Sequence, residues 1–466
     1  MKEIPSTQNG GISADNKVIT LKLHEDITWS DGTPITAQDF AFTYQMANDI
    51  QNLSILPYPY NKISQLDTPD DHTVVMTFSE PFIAWEATLW HGLLPAHILK
   101  TVYEQEQTLD AAAWNLAPTV GCGPFVFTEW VENDHVRFVR NENYWLGKPN
   151  IDEIYIRFAT DDAAQTEDLL NGQGDLGTFI AFSDAPSLES AGLKIVSAFS
   201  GYNEGWIFYL NPYYGHPALL DIRVRQAIAI ALDRFTLNRD LLHGLTQPAV
   251  SYWDNTPYID PSISAWPYDP ERAKQLLDEA GWVDSNGDGV RDQDGVDMLF
   301  TLGTITKAIR QSSQEFARQQ LEAVGIKLEL VNFDEQTFFK SFDAGGPAAT
   351  GQMDIIQYSM RSEFPDPNTS DFLCSQIPYE ENPSGVNWMA FCNEELDRLF
   401  QLQATQFDPA QRQQTFHQIS KLIFERVYFL GLWQDSDLWA VSPRLLNVQL
   451  SGVTPFYNIN EWDVTH

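Results

Sequence analysis

Residues 120–125, Val-Gly-Cys-Gly-Pro-Phe, and 141–152, Asn-Glu-Asn-Tyr-Trp-Leu-Gly-Lys-Pro-Asn-Ile-Asp, frame the most informative segment of this chain. Gly121, Gly123 and Pro124 make a turn that opens an apolar strand. A second strand follows at 135–140, and an Asn-Tyr-Trp corner closed by Gly147 and Pro149 ends the segment. The pattern predicts a hairpin-like unit in a chain that mixes strands with helices.

Working outward, residues 27–34 read Ile-Thr-Trp-Ser-Asp-Gly-Thr-Pro, followed by Thr36-Ala37-Gln38-Asp39-Phe40. Thr36 with Asp39 at the third helical position predicts a capped helix over 36–49. Residues 221–232 and 269–280 carry apolar side chains at helical period. The second of these has Asp269 as cap, Pro270 in the first turn and Gly281 as its stop. Helices are also predicted at 312–323 and 409–426, and strands at 17–23, 72–78, 298–302 and 326–331. No regular repeat is present, so the pattern predicts a mixed α/β chain.

At 466 residues the chain exceeds the size at which one core keeps growing, and more than one domain is expected. Hydrophobic content of 43% and aromatic content of 13% describe a packed protein rather than a disordered one. Acidic residues number 64 against 28 basic, a formal net charge of −36. Such a surface repels phosphate backbones and anionic lipid, which argues against nucleic-acid and membrane-surface partners. The charge fits solubility or adaptation to salt; selection for cationic ligands would require acids gathered in one pocket. No apolar run is long enough to span a membrane.

The four motifs, in this order, resemble those of the extracytoplasmic dipeptide- and oligopeptide-binding proteins that serve ABC importers. The resemblance implies an α/β, two-lobed periplasmic-binding-protein fold with an extra domain and a ligand cleft between the lobes. It divides the chain into an extra domain at 1–120, lobe I at 121–200 plus 437–466, and lobe II at 201–436. It also implies capture of a short peptide, hinge closure and delivery to an ABC permease by a monomer without enzymatic activity. An extracytoplasmic location follows, periplasmic or anchored at the cell surface as a lipoprotein. Residues 1–5, Met-Lys-Glu-Ile-Pro, run straight into turn-like sequence rather than a secretion leader. Against the family pattern, the leader and opening segment are therefore expected to be missing.

The resemblance places the ligand's α-ammonium on Glu363, three residues before Asp366-Pro367, where peptide-binding relatives carry Asp. A carboxylate in a closed site makes a charge-assisted bond to an amine. The same segment adds Arg361 and Asp366, and Tyr202, Asn203 and Trp206 fall where relatives line the cleft. Ring stacking and core packing both remain open for the aromatics. Lys307 and Arg310 lie where relatives place an arginine for a peptide carboxylate, but neither is in register, and each reads as a solvated helix-end charge. The resemblance further implies a disulfide between Cys374 and Cys392; in a reducing compartment the two would stand as thiols. Cys122 reads as a small packed thiol.

Residues 284–295 place Asp284, Asn286, Asp288 and Asp292 at positions 1, 3, 5 and 9 of an EF-hand-like loop. Position 12 is Gly295 instead of glutamate, so a structural calcium ion and a plain acidic turn both remain open. No other cofactor is expected. The nine histidines form no zinc motif, and no nucleophile elbow or phosphate loop is present. Within the same family the alternative ligand is an oligosaccharide, for which 14 Trp and 17 Tyr could supply stacking platforms. An enzyme on the same fold is the remaining, weaker alternative.

Overall fold

The computed structural model describes residues 1–364 and 366–465. The chain forms two compact units. Unit 1 comprises Met1–Gly177, Leu188–Lys194 and Ala440–His466, and unit 2 comprises Thr178–Ser187 and Ile195–Trp439.

Unit 1 contains two three-stranded antiparallel sheets. The first has the order β1-β3-β2, from β1 (Val18–Lys22), β2 (Ile63–Asp70) and β3 (Thr73–Phe78). Ile19, Leu21, Val74 and Met76 are buried, and Trp29 packs into the same cluster. The predicted helix runs over Ala37–Asn48, and both halves of its capping box form between Thr36 and Asp39. The second sheet is built from β4 (Phe125–Val131), β5 (His135–Arg140) and β6 (Glu153–Arg157), in that order. The turn that opens β4 leaves Cys122 exposed rather than packed, because glycine and proline neighbours supply no side chains to cover it. A short strand, β7 (Leu176–Gly177), pairs with the last two residues of a long strand arriving from unit 2.

Unit 2 is organised by a sheet whose order is β12-β11-β13-β8-β14. Its strands are β8 (Lys194–Phe208), β11 (Leu299–Ile305), β12 (Lys327–Phe333), β13 (Ile355–Arg361) and β14 (Phe429–Val441). A small hairpin, β9 (Asp292–Gln293) with β10 (Val296–Asp297), precedes β11. β11 is parallel to both β12 and β13, while β13 and β8 are antiparallel. Parallel strands need crossovers, and the helix Ala308–Glu322 supplies the one between β11 and β12. That helix starts four residues earlier than the sequence pattern predicts. Its first turn, Ala308-Ile309-Arg310, is anchored by burial of the arginine, which a hydropathy pattern scores as polar.

The remaining helices follow their sequence signals closely. Asp221 caps Ile222–Ala231, Asp269 caps Pro270–Glu279 with Pro270 in the first turn, and Asp408 caps Pro409–Arg426. Trp253, Phe372, Phe400 and Phe416 meet as an aromatic layer within the main core. Cys374 and Cys392 are joined by a disulfide with a Cα–Cα distance of 4.6 Å. In the chain-entropy model a loop of this size gains about 3 kcal/mol from closure.

Gly205 marks a close strand approach in unit 2. A Cβ there would overlap the Phe429 ring and lie 2.8 Å from the Leu430 carbonyl oxygen. Gly205→Ala is expected to destabilise the protein by about 2–3 kcal/mol, measured by urea unfolding, because the obstruction includes backbone.

Candidate functional site

The carboxyl ends of β11 and β13, where open α/β sheets commonly receive ligands, bring two polar clusters into unit 2. The first lies within the sheet. Strand alternation puts Tyr202, Glu204 and Trp206 of β8 on one face, opposite Arg361, Ser359 and Gln357 of β13. Glu204 is 1% exposed and Arg310 is 7% exposed. Their fork is bidentate, with Arg310 Nε donating to Glu204 Oε1 and Nη2 to Oε2, both at 2.8 Å. Gln357 Nε2 donates to Glu204 Oε1 at 3.0 Å, and Ser359 Oγ lies 2.6 Å from Oε2. Asp435 of β14 joins through Ser359 Oγ, 3.0 Å from its Oδ2.

Arg310 is thus not a solvated helix-end charge. It is buried because Glu204 waits opposite the first turn of its helix, and a buried pair in this geometry satisfies both desolvated groups. Lys307 remains exposed. Trp206 is fully buried and spends its indole N–H on Gln357 Oε1 at 3.0 Å. Asn203, equally buried, donates to the Tyr252 carbonyl at 3.2 Å. Tyr202 is 38% exposed, and the Arg361 guanidinium sits 5.9 Å from its ring centroid.

The second cluster lies in the segment after β13. Glu363 is half-buried and holds a left-handed backbone conformation at φ +46°, which a non-glycine residue adopts only when its surroundings impose it. Its Oε2 accepts the Asn368 N–H at 3.1 Å, and Arg361 Nη1 stands 3.7 Å from Oε1. Asp366 is committed elsewhere, to the buried guanidinium of Arg412, which also donates to Gln403. Asp371 accepts the Tyr252 hydroxyl at 2.5 Å. Burial, with a smaller contribution from the Glu363 charge, pushes the Asp371 carboxyl up to about 6. Burial, then the Asp371 charge, holds the Tyr252 hydroxyl well above its usual range.

The structure therefore gathers Glu363, Arg361 and Tyr202, while Asn203 and Trp206 are interior and Asp366 ties down the segment. Glu204 had a sequence signal: an acid in the inward phase of a strand otherwise filled by Trp206 and Phe208. Asp371 had none, being one polar residue in a turn-like run.

Asp284, Asn286, Asp288 and Asp292 share one turn. Asp284 accepts the backbone N–H groups of Gly287, Asp288 and Gly289, Asp288 accepts that of Val290, and Asp292 accepts from Ser285. Among the described residues no three His, Cys, Asp or Glu side chains converge as metal ligands.

A model of the bacterial extracellular solute-binding proteins, family 5, matches residues 7–373, and the chain belongs to that family. A Brucella ovis protein with a provisional ABC-transporter peptide-binding name is 28% identical over 446 residues, covering 94% of this chain and 79% of its own length. The oligopeptide-binding protein AppA of Bacillus subtilis is 26% identical over 470 residues, covering 97% and 81%. Its structure with a nonapeptide superposes with a TM-score of 0.68 at 23% identity, covering 98% of this chain and 88% of that one. NikZ from Campylobacter jejuni in complex with Ni(L-His) superposes at 0.76 with 22% identity, covering 97% and 89%. The mixed helix and strand architecture is that of two-lobed periplasmic binding proteins. Among the described residues no helix is long and apolar enough to cross a membrane.

Breaking the sheet's ion pair from one side leaves the other charge buried alone. Arg310→Met is expected to lower unfolding free energy by about 3–5 kcal/mol, and Glu204→Gln/Arg310→Met to recover most of it, as measured by denaturant titration.

Proposed function

We propose that this chain is the extracytoplasmic ligand-binding component of an ABC importer, and that it captures short peptides by their free α-ammonium and passes them to a permease. The observation that carries this reading is the Glu363 carboxylate. It is half-buried and held in a left-handed turn, and its nearest cation, Arg361, is largely exposed and 3.7 Å away. Asp371 lies close enough for the Glu363 charge to raise its pKa, so the pair is short of positive charge. An ammonium group supplies it through charge-assisted hydrogen bonds. The names of the Brucella and Bacillus relatives support a peptide ligand and an importer partner. An oligosaccharide would call for paired stacking faces, whereas, among the described residues, Trp206 is interior and the neighbour of the exposed Tyr202 ring is the Arg361 guanidinium rather than a second ring.

The test compares free di- to pentapeptides with the same peptides N-acetylated, by thermal shift and calorimetry. Free peptides are expected to stabilise the protein and acetylated ones not. Glu363→Gln is expected to weaken binding about 10–100-fold, the value of a hydrogen bond between charged groups. Stabilisation by cello- or xylo-oligosaccharides alone would overturn the peptide reading.

The pH dependence has a defined sign. A carboxyl raised to about 6 in the folded protein, against about 4 unfolded, contributes stability that is complete below about pH 4. That contribution is lost as pH rises through about 6. A bound ammonium favours the ionised form, so binding displaces the Asp371 proton. Peptide affinity is expected to rise between pH 5 and pH 7, with proton release on the acidic side, and Asp371→Asn to flatten that rise.

A further inference from the structure

The network around Glu204 has more acceptors than hydroxyl protons. Ser359 Oγ lies 2.6 Å from Glu204 Oε2 and 3.0 Å from Asp435 Oδ2, and it accepts an N–H from Arg310 Nη2 at 3.0 Å. A hydroxyl owns one proton and two lone pairs. With both carboxylates ionised, that proton can serve only one of them. The other oxygen would then face a lone pair at hydrogen-bond distance, at the half-buried edge of a network whose centre, Glu204 and Arg310, is buried. One additional proton completes every contact.

We propose that Asp435 retains this proton in the folded protein, so that Asp435 donates to Ser359, Ser359 donates to Glu204, and Glu204 is neutralised by Arg310. The chain of bonds fastens β14, β13, β8 and the helix Ala308–Glu322 to one another, and it opens when the proton is lost. This assignment is independent of what the protein binds.

The stronger of the groups facing Asp435 favour this placement over Glu204. From β8, Glu204 brings a negative charge that is itself held by a bidentate guanidinium and by the Gln357 amide. From β13, Ser359 brings a neutral hydroxyl. From the helix, Arg310 gives its fork to Glu204, and Lys307 just before it is exposed; neither makes an ion pair with Asp435 among the described residues. On β14 itself, Asp437 is a second half-buried acid whose carboxyl is also raised by burial. Burial, then the Glu204 charge, pushes the Asp435 carboxyl above its ordinary range against weaker opposition from Ser359, Lys307 and Arg310.

Asp435→Asn keeps a donor to Ser359 and removes the titration. Infrared pH titration of the wild type is expected to show a neutral carboxylic-acid carbonyl band persisting above the usual carboxylate range and missing from Asp435→Asn. Thermal melts are expected to coincide near pH 4. They should diverge as pH rises through the Asp435 pKa, leaving Asp435→Asn about 3 °C more stable at pH 8. Ser359→Ala gives a second route that does not touch the acid: the same band must move while those of other buried acids stay. Parallel pH–stability profiles for wild type and Asp435→Asn, or bands above the usual range that neither variant alters, would overturn the proposal.

Discussion

The bidentate pairing of Arg310 with Glu204 constrains most of unit 2. A guanidinium and a carboxylate that are nearly without solvent contact cost several kcal/mol each to desolvate, and geometry alone repays it. That geometry requires β8 and β13 in their observed antiparallel register, which sets Glu204 opposite Ser359 and Trp206 opposite Gln357. It also requires the crossover helix to begin at Ala308, so that its first turn reaches the sheet. A slip of one residue in β8 would send Glu204 to the other face and strand Arg310. The pair thus ties register, helix start and polar interior together.

The segment that follows β13 is held by a different device. Asp366 pairs with Arg412, Asn368 donates to Glu363, Asp371 takes the Tyr252 hydroxyl, and Cys374 donates its backbone N–H to Asp397 before entering the disulfide. Apart from the Asn368–Glu363 bond, which is internal to the segment, the anchors belong to other parts of unit 2. With so many fixed points, the segment can hold Glu363 in a left-handed conformation that a free loop would relax. The carboxylate that Glu363 presents is therefore a product of side-chain anchoring rather than of regular structure.

Much of this architecture was legible before any coordinates. Thr36 with Asp39 and Asp269 with Pro270 are caps whose chemistry is local, and each helix starts where its cap directs. The interior was less legible for a physical reason. Hydropathy counts Gln357, Ser359 and Arg310 as polar and so assigns them outward, yet together with Glu204 they satisfy one another inside. Arg310 shows this most clearly, since nothing in its own neighbourhood names a partner 106 positions away. Asp371 was equally hidden, because its character comes from Tyr252, brought in from a distant loop. The disulfide was accessible through family resemblance, since spacing alone does not choose a partner.

That disulfide has a consequence for the integrity of the chain. Between Cys374 and Cys392 the backbone makes a turn-rich excursion with exposed residues such as Tyr379, the kind of segment at which proteases cut. A nick there would leave the two fragments covalently joined, and the aromatic layer beneath, with Phe372 on one side of the bridge and Phe400 on the other, would stay assembled. Scission would become visible only under reducing conditions. The molecule can thus lose the continuity of its backbone at this point without losing the continuity of its fold.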